Sequence, residues 1–400
     1  MDSLTQMVLG AGVAEAALGK KIGNRAMVWG AIAGTIPDLD VIANGFMSPI
    51  DALAFHRGIT HSLLVNVILA FLLGYVVHHF YKQSWQKWVA ISSWSILLLA
   101  VALSLLLLGS FSIVKTITSL LILATGAYFI YKRYFKNYYS PPDATVRQWQ
   151  WLFLLALVTH PILDCFTTYG TQILLPFSDM RVAFNNIAVA DPAYTLPFLI
   201  CLLAAALYPK THHRRQYWIT AGLLVSSLYM AFTIFNKTRV NTIFENTLAK
   251  ENITYSRYMT TPTILNNVLW SGIAETDTAY VFGMYSFFDN ENSFKLNTIS
   301  KNRQNFASAL ENDPTLKTLR WFSDDFFQLK QIDSTRYEYY DLRFGTFRMK
   351  ASDPDQFVFK FNVEKNKDGQ FILKDQGDRP RDANFAEAFE GLWNRIMGRI

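Results

Sequence analysis

The chain has 400 residues, a net charge of +6 and 51% hydrophobic residues, a length that allows two or three domains. Residues 1–236 hold only 9 acidic and 15 basic side chains, whereas residues 237–400 hold 22 of each, so the basic excess belongs to the apolar first part. This split excludes a nucleic-acid surface and fits basic loops beside membrane spans; the two cysteines, Cys165 and Cys201, lie in apolar segments and read as free thiols rather than a disulfide framework.

Met1–Leu9 has no basic stretch ahead of an apolar core and is not expected to be a secretory signal peptide. Leu4–Leu18 reads as a helix rich in small residues, among them Gly10, Ala11, Gly12 and Ala14. Gly30 and Gly34 supply a second set of small residues, which lets two helix backbones approach closely in lipid. That packing is expected to bring Glu15 near Asp38. Ala26–Ile36 and Val41–Phe46 are apolar but broken by Pro37-Asp38-Leu39-Asp40, the pattern of a re-entrant or half-spanning element lining a cavity.

A bilayer core takes about 20 apolar residues of helix. Ser62–Tyr81, Trp88–Gly109, Phe111–Tyr131, the shorter Ala193–Tyr208 and Tyr217–Phe235 fit this, and Trp149–Leu163 makes a sixth. Basic residues gather at Lys82 and Lys87, at Lys132–Arg147 and at Lys210–Arg215. With all three loops cytoplasmic the spans alternate without contradiction, and His61, His160 and the tail face outward. From about Asn241 the composition is that of a soluble domain. Tyr280–Phe288, Tyr337–Phe347 and Gln356–Val363 read as strands, Asn366-Lys367-Asp368-Gly369 as a hairpin turn, and Asn302–Leu310 and Phe385–Ile400 as helices. The expected fold is therefore an all-α polytopic membrane domain over residues 1–240, with about six spans and an N-terminal re-entrant helical hairpin. A soluble, extracytoplasmic α+β domain follows over residues 241–400.

Ionisable side chains are costly in lipid and mark function there. His160 and Asp164 are four residues apart, hence on one helix face, with Pro161 expected to kink or restart the helix. His56 and His61 are five apart and need a turn at Gly58 to converge on one centre. Asp38 and Asp40 straddle one residue and in irregular backbone point alike, able to bridge two ions. His nitrogen and carboxylate oxygen are ligands for zinc, manganese and related ions. The candidate metal ligands are thus Asp38, Asp40, His56, His61, His160 and Asp164. Arg57 is a candidate for a substrate phosphate, and Asp40 or Glu15 for a general base. His78, His79, His212 and His213 sit at basic span ends on the other side. Asp191, before Pro192, reads first as a helix cap.

At Met1-Asp2-Ser3-Leu4-Thr5-Gln6, Pro37-Asp38-Leu39-Asp40, His56-Arg57-Gly58-Ile59-Thr60-His61 and His160-Pro161-Ile162-Leu163-Asp164 the chain resembles the LexA-binding, inner-membrane-associated family of metal-dependent hydrolases. The resemblance covers roughly residues 1–200. It implies a bacterial inner-membrane location and a metal-dependent hydrolase; many members carry His where this chain has Gln6. A fainter resemblance, to zinc-dependent phospholipase C and the S1/P1 nucleases, implies a zinc cluster. This chain lacks the later histidines of that class, which leaves one or two ions. The reading is an integral membrane metal-dependent hydrolase of lipid or other membrane-proximal phosphoesters, with membrane lipids and no nucleic acid as partners. The rivals are a metal or proton transporter and a non-catalytic regulator with a structural metal site. Two spans without His or acidic residues, and no visible repeat, speak against a transporter.

Overall fold

The computed structural model describes residues 1–107, 112–136, 139–346, 357–376 and 385–399. The expected element ends at Gly109, Phe111, Phe347, Gln356 and Ile400 lie outside the described residues. Helix α1 (Ser3–Ile22) starts at Asp2, whose carboxylate accepts the Thr5 N–H at 3.0 Å. It turns back at Gly23 into α2 (Arg25–Thr35). The two helices touch backbone to backbone. A Cβ on Gly30 would lie 2.2 Å from the Gly10 carbonyl oxygen, and one on Gly34 would lie 2.5 Å from that of Gln6. The small residues therefore do what their spacing implies. The antiparallel register has a different consequence from the one expected. Asp38 follows α2 at the Gln6 end of α1, and Glu15 lies nine residues further along, roughly 13 Å at 1.5 Å per residue.

A 3-10 segment, Pro37–Gly45, bends by 47° from α2 and continues the apolar character of that helix. Then come α3 (Pro49–Phe55), a short 3-10 turn Ile59–His61, and α4 (Leu63–Phe80), which Ser62 caps. Helices α5 (Gln86–Leu107) and α6 (Ile113–Tyr131) pair with each other and leave most of their side chains exposed. Helix α7 (Val146–Asp164) opens with a capping box from Thr145 and Gln148 and packs against α1, α2 and α4. Its inner face forms a core with Trp149, Leu152, Phe153, Ala156 and Leu157. After a long loop, α8 (Pro192–Ala206) and α9 (His213–Lys250) complete the helical part.

Among the described residues, four helices are long and apolar enough to cross a membrane, or five if the bent pair around Thr35 is one span. The expected six is not reached among the described residues, and two segments account for the difference. Helix α8 has 15 residues, about 22 Å by its rise and short of a ~30 Å hydrocarbon core. Helix α7 has the length, with 19 residues, but Gln148, Gln150, His160 and Asp164 lower its apolarity and it is held inside the bundle.

Helix α9 runs for 38 residues without a break. Its end packs Val240, Phe244 and Leu248 against Trp270, Val281 and Tyr285 of the second domain. The expected boundary at residue 240 thus falls inside a helix, not a linker. That domain holds two four-stranded antiparallel sheets in sequential order. The first is β1 (Arg257–Pro262), β2 (Leu269–Glu275), β3 (Ala279–Ser286) and β4 (Lys295–Ser300). Helices α10 (Ala307–Asn312) and α11 (Pro314–Phe322) follow. The second sheet is β5 (Phe327–Gln331), β6 (Arg336–Thr346), β7 (Phe357–Lys365) and β8 (Phe371–Gln376), then α12 (Phe385–Ile396). The β7–β8 turn is the expected one, with Gly369 at φ 83°.

The two ends of the helical part differ. At one end Lys210 donates to the Lys21 carbonyl at 2.8 Å, Lys21 to Gln148 at 3.0 Å, and Arg25 to the Ser140 carbonyl at 2.9 Å, so basic loops gather there. At the other end the loop after α7 meets the second domain. Tyr169 packs edge-on to Phe322 with ring centres 5.1 Å apart, and Ile50 and Leu53 of α3 join the same core.

Candidate metal centre

Helix α7 continues through Pro161 to Asp164, so no restart occurs. His160 and Asp164 project from one face, and both are fully buried. His61 arrives from the 3-10 turn before α4, and Asp38 from the segment after α2. Their ligating atoms converge. His61 Nε2 lies 3.1 Å from His160 Nε2, 3.4 Å from Asp38 Oδ1 and 3.4 Å from Asp164 Oδ2. His160 Nε2 lies 3.5 Å from Asp38 Oδ1 and 3.4 Å from Asp164 Oδ2. A tetrahedron of N and O ligands about 2.0–2.1 Å from a central ion has edges of about 3.3–3.4 Å. Five edges of the cluster match that figure. Asp38, His61, His160 and Asp164 thus form a group that can hold a metal ion.

Lone pairs give a second, independent fit. His160 Nδ1 faces the Gly34 carbonyl oxygen at 2.6 Å, which only accepts, so Nδ1 carries the proton. His61 Nδ1 faces Thr60 Oγ1 at 3.0 Å, and the Thr60 hydroxyl donates to Asp40 Oδ2 at 3.1 Å, so this Nδ1 is a donor too. As neutral rings, both would turn Nε2 lone pairs toward each other and toward Asp164 Oδ2, a buried oxygen with no hydrogen-bond partner among the described residues. Such a convergence of acceptors is unfavourable unless a cation joins them.

The remaining expected residues fall around this group rather than in it. A 3-10 helix turns about 120° per residue, so Asp38 and Asp40 diverge instead of pointing alike. Asp40 lies behind the histidines. It meets His56 Nδ1 at 2.8 Å and the Arg57 backbone N–H at 3.0 Å, with His61 Nδ1 at 3.5 Å. Asp40 thus orients imidazoles, and the bridge of two ions is not formed. His56 is paired with Asp40 and does not join the four-residue group; its side chain is 25% exposed. The turn that separates it from His61 has its left-handed residue at Arg57, φ 59°, and not at Gly58. Gly58 is needed for space, because a Cβ there would meet the Phe55 carbonyl oxygen at 2.8 Å.

Arg57 is buried, and both of its terminal nitrogens are engaged. Its Nη2 lies 3.3 Å from Asp164 Oδ1 and its Nη1 donates to Thr167 at 3.0 Å, while its plane lies over Tyr169. It balances the charge of Asp164 rather than projecting into open space. Glu15 is not brought to the cluster at all. Arg215 grips it with Nε–Oε1 at 2.6 Å and Nη2–Oε2 at 2.8 Å, both side chains being 2% exposed. His78, His79 and His212 bond backbone groups near the basic end, and Asp191 caps α8 through the Ala193 N–H.

Sequence reasoning missed three contributors. Thr60 lies within a quoted motif but carried no signal of its own. Tyr169 packs on His56 at 5.2 Å between ring centres and reaches the site only through the loop fold; burial pushes its phenol above the ordinary range. The Met1 amino group contacts Asp164. Gln6, noted only through the resemblance, donates to Asp164 Oδ1 at 3.0 Å and to the His160 carbonyl at 3.3 Å, so its amide braces the ligand helix.

The helical part that carries this site, residues 1–240, matches the family model described as YdjM inner membrane protein. The chain belongs to this family. The match ends within α9, close to where the second domain begins, so the sheets lie beyond it. No curated protein and no solved structure matches the chain.

Proposed function

We propose that this protein is a metal-dependent hydrolase of phosphoesters held at the membrane. The carrying observation is the convergence of four buried or half-buried ligand atoms, five of their separations being 3.1–3.5 Å, beside a His–Asp pair that is partly open. Asp38, His61, His160 and Asp164 would hold one divalent ion, zinc or manganese, which supplies Lewis acidity toward a phosphoryl oxygen and a lowered pKa for water. His56 donates its Nδ1 proton to Asp40 and keeps Nε2 as a base toward a nucleophile. Arg57 offsets the carboxylate of Asp164 and keeps it ionised for ligation.

A second reading, a non-catalytic protein with a structural ion, has one observation in its favour: four protein ligands close a tetrahedron. Against it, the donors are imidazole and carboxylate with no thiolate, and ions that take five or six ligands keep free positions on such a set. The two readings part on His56. Purified in detergent, His56→Ala is expected to keep its bound metal and lose about 100-fold or more in turnover of bis-p-nitrophenyl phosphate, within the range of general-base catalysis. Metal retained with no turnover by the unsubstituted protein would support the structural ion instead.

The gathering of basic loops at the end opposite the site supports a cytoplasmic position for those loops. The site and the C-terminal domain then face the extracytoplasmic side of the inner membrane. A phosphatase reporter that works only when exported, fused after Ile400, is expected to be active; an inactive phosphatase fusion, with a cytoplasm-only reporter active at the same point, reverses the orientation.

A further inference from the structure

Of the four ligands only Asp38 has an exposed side chain, at 15%, while the other three have none. The site therefore opens beside segment Pro37–Gly45. The outward face of that segment is apolar: Leu39, Val41 and Ile42 are exposed, and Phe46 just after it is 87% exposed. The segment and α2 together are apolar enough to cross a membrane. A second apolar ridge borders the same turn. The loop after α7 is pinned there by Gln172 N–H to the Arg57 carbonyl and by Leu63 N–H to the Ile173 carbonyl, both at 3.0 Å. It exposes Leu174 and, at 83%, Phe177. Directly after His61, exposed Leu64 and Ile68 continue as the outer face of the spanning helix α4. Exposed apolar side chains thus flank the segments that carry Asp38 and His61, next to helices apolar enough to cross a membrane, and lipid is the occupant that fits them.

We propose that the site opens sideways into the bilayer and that its substrate is a membrane lipid phosphoester. The lipid's phosphate would sit at the Asp38 side of the cluster and its acyl chains along Val41, Ile42 and Phe46. The hydrolytic part rests on the proposed function; the lateral opening rests on the exposed apolar surface alone. In the reaction, one P–O bond forms from water, the P–O bond to the leaving alcohol breaks, and one water proton passes to the alcohol oxygen, with no redox change.

Two measurements on the full chain, in vesicles of phosphatidylethanolamine and phosphatidylglycerol, test this. Fluorophores on Phe46→Cys and Phe177→Cys are expected to be quenched severalfold more by doxyl-labelled lipid than by iodide; Cys165 and Cys201 are buried and do not compete for label. Stronger quenching by iodide would overturn the lateral opening. The double variant Ile42→Ser, Phe46→Ser is expected to lose about tenfold in kcat/KM on fluorescent phosphatidylglycerol while changing less than about twofold on bis-p-nitrophenyl phosphate, because only the lipid uses that surface. Equal effects on both probes, or none, would overturn the chain-binding role. If the unsubstituted protein turns over neither probe, the hydrolase reading fails and the quenching result still decides the opening.

Discussion

Bound metal is expected to fall from near one ion per chain to near zero when His160 is replaced by alanine. His160 Nε2 makes three of the five matching edges of the cluster, and its Nδ1 is held in place by the Gly34 carbonyl. Without it, His61 and two carboxylates remain and the tetrahedron is open. Removing an outer group that merely orients a ligand costs 10–100-fold in affinity, so removing a ligand should cost more. Asp40→Asn supplies that milder comparison. It keeps all four ligands but weakens the support behind His61, and about a 10–100-fold loss is expected there. Stability should follow binding. An ion at a free concentration 1,000 times its Kd stabilises the folded state by about 4 kcal/mol, and His160→Ala forgoes this. Elemental analysis after dialysis, with thermal melting across a metal titration, measures both effects. Undiminished metal in His160→Ala would remove the site.

Arg215→Ala is expected to destabilise the protein by about 3–5 kcal/mol, the usual cost of leaving one member of a buried ion pair alone. Arg215 holds Glu15 with two hydrogen bonds and also reaches Asn24 at 2.7 Å and the Tyr208 carbonyl at 2.9 Å. It therefore ties α1, the α1–α2 turn and the end of α8 to the start of α9. The double variant Glu15→Leu, Arg215→Met removes both charges at once and is expected to be far less damaging than either single charge loss. Metal content per folded molecule should stay unchanged in all of these, because the pair lies away from the cluster. Melting temperature and yield in detergent read the first effect. A Glu15→Gln variant that stays folded and keeps its metal but loses all turnover would return Glu15 to the catalytic group.

The four residues of the candidate metal group were legible as residue types in unusual surroundings. His160 and Asp164 declared their shared face by spacing alone, because an α-helix repeats every 3.6 residues. The helix's passage through Pro161 was not legible, since the proline lies within its last turn and the packing of α7 against three neighbours decides the matter. Asp38 and Asp40 looked equivalent in sequence. The 3-10 geometry of their segment put Asp38 in the candidate metal group and left Asp40 as a brace for His56 and His61. Glu15 looked like a site residue because its partner, Arg215, is 200 positions away and leaves no local trace. The two segments by which the structure falls short of the expected six spans have a related reason. Apolarity of α7 and α8 reflects burial in the bundle as much as contact with lipid, and hydropathy does not separate the two.

The sequence by itself determined that this is a membrane protein with a distinct C-terminal part, that metal-ligand side chains sit in its apolar half, and that Gly10, Gly30 and Gly34 bring two helices together. These follow from local rules: composition, helical period and the absence of a Cβ. Only the tertiary structure decided which of the candidate ligands share a centre, that His56 stands beside it with Asp40, and that the second domain covers the same end. Those outcomes depend on contacts between segments tens to hundreds of residues apart, whose geometry is fixed by packing and not by spacing along the chain.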